Sequence, residues 1–268
     1  MKLEGLRNKG KTVRRKLAGK LVKGHLELLK RIDEKSPLSL SYWLFCRKVI
    51  GIILPEPDPL FPPYESLYST GEALEVPELK RFLANDILGT WALDAQTIRL
   101  IWALLWQDQP QVILECGSGV STLVLAVYAS LSSSQIGKDC LIISLEQDRW
   151  FKAEVEERLK ESNLDGFAKV FHGPLDDQGF YDLHDLEPLL ADKCVQWVLI
   201  DGPSGPLGCR YGTLPTLLRF CRSRARWFLD DSFRDGELQI LRRWRNGSGI
   251  TVEGIYPVGK GLATGRVP

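Results

Sequence analysis

The chain alternates short apolar segments with amphipathic ones from residue 97 to residue 245, and this alternation restricts the fold more than any other feature. Apolar residues at helical spacing between Thr97 and Leu105 predict a helix, and the apolar run Gln111–Glu115 predicts a short buried strand. The same pattern predicts further helices from Val120 and over 149–162, 213–222 and 235–245, and further strands over 140–146, 168–172, 195–201 and 226–230. Strands separated by helices are joined by right-handed crossovers, so the pattern predicts an α/β doubly wound fold with a largely parallel sheet.

The C-terminal tail follows a different pattern. Ile250–Tyr256 and Leu262–Val267 predict two further strands that form a hairpin. The expected sheet is therefore parallel except for a C-terminal antiparallel hairpin.

The N-terminal segment is strongly basic. Residues 1–31 contain eleven lysines and arginines against two glutamates, and a loose apolar stripe predicts a basic helix over residues 1–35. Such a helix either stays in solvent or contacts an anionic membrane surface. No nucleic-acid partner is expected, because the segment lacks the interleaved aromatic residues of a stacking surface. Six prolines between residues 55 and 78 predict a linker, so we divide the chain into an N-terminal extension, residues 1–75, and an α/β domain, residues 76–268.

The cysteines and the N-terminal segment both indicate a cytoplasmic protein. Six scattered cysteines without a CxxC pair predict free thiols in a reducing compartment. The basic segment lacks the uninterrupted apolar stretch of a signal peptide. Charged residues Arg47 and Lys48 break the apolar segment Leu38–Leu54, so it is not expected to span a bilayer. Peripheral attachment to the inner face of the membrane through residues 1–35 is the alternative left open.

A glycine turn, Glu115–Gly119 (Glu-Cys-Gly-Ser-Gly), joins the first predicted strand to the next helix. Ligands of doubly wound sheets bind at the carboxyl ends of the strands, and Gly117 and Gly119 let the backbone approach a ligand closely. A dinucleotide fingerprint would have a third glycine at position 122, where this chain has Thr122. The turn therefore favours a ligand without a pyrophosphate.

Glu146 ends the second predicted strand. A carboxylate at this position can accept hydrogen bonds from both hydroxyls of a ribose, which indicates a nucleoside ligand. The alternative is structural, with Glu146 and Asp148 only stabilising the start of the helix over 149–162.

Three carboxylates follow the fourth and fifth predicted strands: Asp201 ends the fourth, and Asp230 and Asp231 end the fifth. At the ends of neighbouring strands they would repel each other unless a cation or substrate protons intervene. Magnesium, which prefers hard oxygen ligands, would fit all three. Without an ion, Asp201 or Asp231 becomes a general base. A purely structural alternative has Asp231 or Ser232 capping the next helix and Asp230 in solvent.

These motifs resemble those of the class I S-adenosylmethionine-dependent methyltransferases over residues 95–245. Val112–Gly119 looks like the methionine-cradling loop of that family, Glu146 falls at its ribose-binding acid, and Ile200–Pro203 is similar to its motif at the acceptor face. The resemblance implies a Rossmann-like fold with S-adenosylmethionine as cofactor. The cofactor-binding residues that it implies are Glu115, Gly117, Ser118, Gly119, Glu146 and Asp201.

Two groups within the family are also similar. Asp201–Gly208, together with Phe228–Asp231, Glu237 and Arg242–Trp244, resembles bacterial methyltransferases of polysaccharide synthesis, and this resemblance is less specific. The three carboxylates resemble the metal site of O-methyltransferases that act on catechols and macrolide sugars. The resemblance implies transfer of a methyl group to the hydroxyl of a sugar or another small molecule. Substrate contacts are expected from Ser204, Arg210 and Tyr211.

His172 ends the third predicted strand, where the family often has an acid that touches the adenine. It is a candidate for that contact, or for a catalytic base alongside Asp201 and Asp231. A histidine that is merely hydrogen-bonded is the structural alternative.

Two other functions stay open at this point. A nicotinamide-dependent oxidoreductase would share the fold and the ribose-binding acid, but the third glycine and a convincing Tyr-Lys or His pair are missing. A non-catalytic cofactor-binding or membrane-docking module would use the basic N-terminal segment as its functional part.

Overall fold

The computed structural model describes Leu93 and residues 95–206, 208–247, 249–256 and 258–268. The basic helix predicted over residues 1–35, the proline-rich linker, the segment Leu38–Leu54 and the boundary near residue 75 lie outside these residues. The membrane contact of the N-terminal segment therefore stays a prediction. Within the described part of the chain, no helix has the length and apolar character needed to cross a bilayer.

The described residues form one sheet of seven strands. In chain order the strands are β1 (Val112–Cys116), β2 (Leu141–Glu146), β3 (Ala168–His172), β4 (Val195–Ile200), β5 (Cys221–Leu229), β6 (Thr251–Tyr256) and β7 (Leu262–Arg266). They lie in the order β3-β2-β1-β4-β5-β7-β6. β1 to β5 run parallel, and β7 is antiparallel to both β5 and β6. The predicted sheet with its C-terminal hairpin is confirmed.

Helices pack on both faces of this sheet. In chain order they are α1 (Ala95–Asp108), α2 (Val120–Ile136), α3 (Arg149–Glu161), α4 (Glu187–Leu190), α5 (Thr213–Leu217) and α6 (Asp235–Gly247). The first three share one apolar core with the sheet, and the last three share the other. Along β4, Trp197 and Leu199 face the first core while Val198 and Ile200 face the second. This is the alternation of a strand buried on both faces.

The segment before β5 differs from the prediction. The helix predicted over 213–222 forms as α5 and continues as a 3-10 turn, Leu218–Phe220, but its last two residues belong to β5, which begins at Cys221. The first part of β5, residues 222–224, is polar and exposed, so no apolar signal marks the strand before Ala225. The short helix α4 was also missing from the prediction, since four residues are too few to show a helical period.

The strand β1 lies where the strand order reverses. From β1 the sheet extends through β2 to β3 on one side and continues with β4 on the other. In doubly wound sheets a crevice for ligands opens at this switch point, outside the carboxyl ends of the strands. The predicted site residues lie at this edge, in the last residues of β1, β2 and β3 and on the loops after β1, β4 and β5.

Candidate functional site

The turn after β1 packs against the loop after β4. Gly117 has a φ of 92°, and a Cβ there would lie 2.9 Å from the backbone nitrogen of Gly202. The N–H groups of Asp201 and Gly202 both donate to the carbonyl oxygen of Cys116, at 2.8 and 2.7 Å. Glycine is therefore required at position 117, because another residue would be strained at this φ and would collide with the second loop.

The hydroxyl of Thr122 explains why this turn works without a third glycine. It accepts a hydrogen bond from the N–H of Gly119 at 2.9 Å and donates to Oε2 of Glu115 at 2.6 Å. The hydroxyl of Ser144 donates to the same oxygen at 2.6 Å. Glu115 is fully buried and holds the turn in place. Its predicted contact with the ammonium group of a cofactor stays a prediction.

Burial of Glu115 has a consequence for stability. It raises the pKa of this carboxyl from 4.5 to about 7, and hydrogen bonds from Ser121, Ser144 and Thr122 only partly offset the effect. Between these two pH values the folded state binds a proton that the unfolded chain has released. The stability that this proton contributes is present at pH 4.5 and is lost as the pH rises to about 7.

Replacing Glu115 with glutamine should remove this pH dependence. We expect the free energy of unfolding of Glu115→Gln, relative to the unchanged protein, to rise by about 3 kcal/mol across that pH range. Urea unfolding of the cofactor-free proteins at both pH values measures the difference. The exposed Glu157 on α3 supplies the control variant Glu157→Gln, which should show no trend. A difference for Glu115→Gln that stays constant with pH would contradict the prediction.

Glu146, at the end of β2, faces the same turn. Its Oε2 accepts hydrogen bonds from the N–H and the hydroxyl of Ser118, at 3.0 and 2.9 Å, and its Oε1 accepts from the N–H of Asp148 at 2.9 Å. Asp148 itself caps α3, since its side chain accepts from the N–H groups of Trp150 and Phe151. Asp148 thus caps the helix, and Glu146 supports this helix start through Oε1 while its Oε2 binds Ser118, so the ribose contact of Glu146 stays a prediction.

Two further side chains at this edge were not found from the sequence. Gln147 joins the loops after β2 and β4: its Oε1 accepts from the N–H of Ser204 at 2.8 Å, and its Nε2 donates to the Ser204 carbonyl at 3.3 Å. The buried hydroxyl of Tyr181 lies against Gly202 and has no hydrogen-bond partner among the described residues. Both lie in loops, where no periodicity or motif distinguishes them.

His172 lies at the end of β3, away from the acidic residues. Its Nε2 is 3.2 Å from the carbonyl oxygen of Gln147, and its Nδ1 accepts from Nε of Arg149 at 3.5 Å. The strands β2 and β1 separate β3 from β4, so the structure does not bring His172 together with Asp201 and Asp231. The geometry offers no support for a base role beside those aspartates, and the adenine contact stays a prediction.

The three predicted carboxylates do come together. Asp201, Asp230 and Asp231 each place an oxygen within 4.8 Å of the others, because β4 and β5 are adjacent and end level with each other. The side chain of Asp201 is 21% exposed, whereas that of Asp231 is 3% exposed and Asp230 is also buried. The alternative in which Asp230 points into solvent is therefore wrong. Asp201 offers the most accessible carboxylate of the cluster.

Three cations of the chain pair with these carboxylates. Arg210 is buried, with Nη2 at 3.0 Å from Oδ1 of Asp201 and Nη1 at 3.4 Å from Oδ2 of Asp231. Arg234 lies 2.8 Å and Lys260 lies 3.3 Å from the carboxylate of Asp231. Side chains of the protein itself thus offset part of the repulsion predicted from the sequence, at Asp201 and Asp231. Arg234 and Lys260 were not predicted, since they reach the cluster from separate loops without a motif.

Burial also affects the proton affinity of this cluster. It raises the pKa of Asp201 to about 6, against the opposing effect of the Arg210 charge, and the Asp231 charge adds to the rise. The pKa of Asp230 lies well above its usual value because of burial and the charges of Asp201 and Asp231. Asp201 can therefore accept a proton near neutral pH.

The predicted substrate contacts lie near the same cluster but differ in accessibility. Arg210 is buried among the carboxylates, whereas the side chain of Ser204 is exposed. Tyr211 is 38% exposed, and the guanidinium of Arg243 lies 5.2 Å from the centre of its ring. Ser204 and Tyr211 can therefore be reached from solvent, and their contact with a substrate stays a prediction.

Several solved structures with a similar fold are methyltransferases. An S-adenosylhomocysteine-bound methyltransferase from Podospora anserina, PaMTH1, is 13% identical, with 88% of this chain and 98% of that chain covered and a TM-score of 0.55. The O-methyltransferase TomG from Streptomyces achromogenes, in complex with SAM, is 20% identical, with 79% and 93% covered and a TM-score of 0.51. An O-methyltransferase from Bacillus cereus in complex with S-adenosylhomocysteine is 14% identical, with 79% and 94% covered and a TM-score of 0.50.

Sequence comparison adds nothing to this structural likeness, since no protein-family model and no curated protein matches the chain. At the identities of the structural matches, the likeness establishes the fold. The chain has the fold of the class I S-adenosylmethionine-dependent methyltransferases, as its motifs predict.

Proposed function

We propose that this protein is an S-adenosylmethionine-dependent O-methyltransferase that acts on a hydroxylated small molecule. The proposal rests on one observation: Glu146, the Gly117–Gly119 turn and the accessible Asp201 lie at the same edge of the sheet. Glu146 suits the two hydroxyls of a ribose, and Asp201 suits the proton of an acceptor hydroxyl. Proteins with this fold have been solved with SAM and with S-adenosylhomocysteine bound.

The glycine turn leaves its backbone uncovered at Gly119. A Cβ on Gly119 would meet no atom within 4 Å, so space is open beside the turn. Gly117, Ser118 and Gly119 would hold the methionine part, and Glu146 would hold the ribose with the one free lone pair of Oε1 and with Oε2 once the Ser118 hydroxyl turns away. S-adenosylmethionine supplies an electrophilic methyl group on a sulfonium sulfur. Glu115 would support the cofactor site indirectly, because its hydrogen bond with Thr122 holds the turn in its conformation.

The remaining tasks belong to residues of the chain: aligning the acceptor oxygen and removing its proton. Arg210 holds Oδ1 of Asp201, and we assign the acceptor proton to Oδ2 of the same carboxylate. As the new oxygen–carbon bond forms and the carbon–sulfur bond breaks, the hydroxyl proton passes to Asp201. Asp231, which is buried and paired with three cations, acts as a fixed support for this arrangement.

A sugar hydroxyl is the acceptor that we favour. The proposal rests on the resemblance to methyltransferases of polysaccharide synthesis and on the exposed ring of Tyr211, against which the apolar face of a sugar can pack. Ser204, on the loop after β4, offers a hydroxyl for a polar contact with the same substrate.

The sequence also predicts a magnesium ion at the three aspartates, and the arrangement of their side chains bears on whether such an ion fits. Asp201, Asp230 and Asp231 could offer three oxygens to an ion, but the guanidinium of Arg210 already pairs with two of these side chains. In this arrangement the residues do not fit a divalent ion unless Arg210 moves away. We therefore route no step of the reaction through a metal.

A transfer assay tests the proposed function. The purified full-length protein is incubated with S-adenosylmethionine labelled in its methyl group and with monosaccharides, nucleotide sugars and catechols, and in parallel with amino sugars and aromatic amines. We expect label in an O-methyl ether of at least one acceptor and an equal amount of S-adenosylhomocysteine. Transfer to amines but not to any hydroxyl would overturn the assignment of an oxygen acceptor.

A further inference from the structure

Arg210 occupies the centre of the acidic cluster. Its Nη2 donates to Oδ1 of Asp201 at 3.0 Å, and its Nη1 donates to the backbone carbonyl of Asp230 at 3.2 Å. Nη1 also lies 3.4 Å from Oδ2 of Asp231. One guanidinium therefore bridges the ends of β4 and β5, which is the task that a divalent ion held by the same aspartates would perform.

The backbone around Arg210 is packed in place. Arg210 lies in a 3-10 turn, Cys209–Gly212, and its side chain is only 7% exposed. The indole N–H of Trp244 donates to the carbonyl oxygen of Tyr211 at 2.9 Å, and a Cβ on Gly212 would collide with the ring of Phe180. A buried guanidinium on a packed turn is a fixed part of the site, unlike a mobile surface arginine.

The cluster holds further positive charge besides Arg210. Arg234 and Lys260, whose side chains are 39% and 40% exposed, add two cations next to Asp231. Arginine keeps its charge at all accessible pH values. A divalent ion would have to enter beside these cations and would be repelled by them.

We propose that the guanidinium of Arg210 takes the place of a divalent cation in this cluster, so that the protein transfers methyl groups without a metal ion. Arg210 is then a positioning residue, which orients the carboxylate of Asp201 towards the acceptor. This inference rests on the proposed function, in which Asp201 receives the proton of the acceptor. The metal content of the site can be measured independently of any turnover.

Binding of Mn²⁺ alone, followed by electron paramagnetic resonance, tests the proposal on the full-length protein. The unchanged protein is expected to bind no stoichiometric Mn²⁺. Arg210→Ala and the bulkier, uncharged Arg210→Gln are expected to bind it roughly tenfold or more tightly, because the aspartates lose their nearest counter-charge. Thermal melting with and without Mn²⁺ confirms that each variant is folded, and the glutamine variant retains side-chain volume if the alanine variant unfolds.

The exposed Arg219, which pairs with Glu187 away from the cluster, supplies the matched control. Arg219→Gln should leave Mn²⁺ binding as it is in the unchanged protein. Stoichiometric Mn²⁺ binding by the unchanged protein that Asp201→Asn abolishes would overturn the proposal, as would variants of Arg210 that gain no Mn²⁺ affinity.

A parallel titration with S-adenosylhomocysteine separates this inference from the proposed function. Failure of the protein to bind S-adenosylhomocysteine would refute the proposed function, whether or not the protein binds Mn²⁺. Binding of both S-adenosylhomocysteine and Mn²⁺ by the unchanged protein would overturn only the role of Arg210. Where transfer activity is found, excess chelator should leave its rate unchanged. Loss of activity with chelator would also overturn the proposal that Arg210 takes the place of a metal ion.

Discussion

Replacing Asp201 with asparagine is expected to lower kcat for methyl transfer by about two to four orders of magnitude. Asparagine keeps an oxygen that can accept the hydrogen bond from Arg210, so the loop geometry should survive. The amide cannot take up the proton of the acceptor hydroxyl, and the loss of a general base has an effect of this size. The measurement is a steady-state comparison of kcat and KM with the unchanged protein.

The position of Asp201 makes this the largest effect that we expect on turnover. Its side chain is the accessible one of the cluster, whereas Asp231 is enclosed by Arg210, Arg234 and Lys260. The matched control is Asp192→Asn, because Asp192 is an exposed aspartate before the other end of β4. The affinity for S-adenosylhomocysteine should fall much less than kcat in Asp201→Asn. A kcat within about threefold of the unchanged protein would remove Asp201 as the base.

Replacing Glu146 with alanine is expected to weaken S-adenosylhomocysteine binding at least tenfold. The carboxylate would lose a pair of charge-assisted hydrogen bonds to the ribose, each worth roughly 1.5–3 kcal/mol. The variant also loses the hydrogen bonds that Ser118 donates to Oε2 of Glu146. Isothermal titration calorimetry with S-adenosylhomocysteine measures the change directly.

A second variant separates the ribose contact from the support of the turn. Glu146→Gln keeps an oxygen for Ser118 but loses the charge and one of the two acceptor oxygens, so its affinity should lie between those of the alanine variant and the unchanged protein. The exposed Glu157 on α3 supplies the control Glu157→Ala, which should bind normally. Unchanged affinity in a folded Glu146→Ala protein would refute the ribose assignment.

The fold could be predicted because the sequence patterns that indicate its strands and helices involve neighbouring residues. The apolar runs of β1 and β4 and the helical spacing after Gly119 need only neighbouring residues to be recognised. The meeting of Asp201 with Asp230 and Asp231 was also predictable, since adjacent parallel strands end at one edge of a sheet. The start of β5 was not, because its first residues are exposed and polar and look like part of a loop or helix.

The parts of the site that depend on distant loops could not be predicted. Arg234 and Lys260 reach Asp231 from the loops after β5 and before β7, and nothing in their own neighbourhood marks them. The buried hydroxyl of Tyr181 comes from the loop after β3, where the chain has no regular period. These contacts depend on tertiary packing, and those of Arg234 and Lys260 place two cations beside Asp231 that the sequence motifs do not indicate.

The central claim, that the crevice binds S-adenosylmethionine and its product, is tested most directly by calorimetric titration of the full-length protein with S-adenosylhomocysteine and, separately, with NADH. Both ligands carry a ribose for Glu146, but only NADH carries a pyrophosphate, for which the turn at Thr122 lacks the third glycine. We expect saturable binding of one equivalent of S-adenosylhomocysteine and no saturable binding of NADH. Saturable binding of NADH without any binding of S-adenosylhomocysteine would contradict the claim.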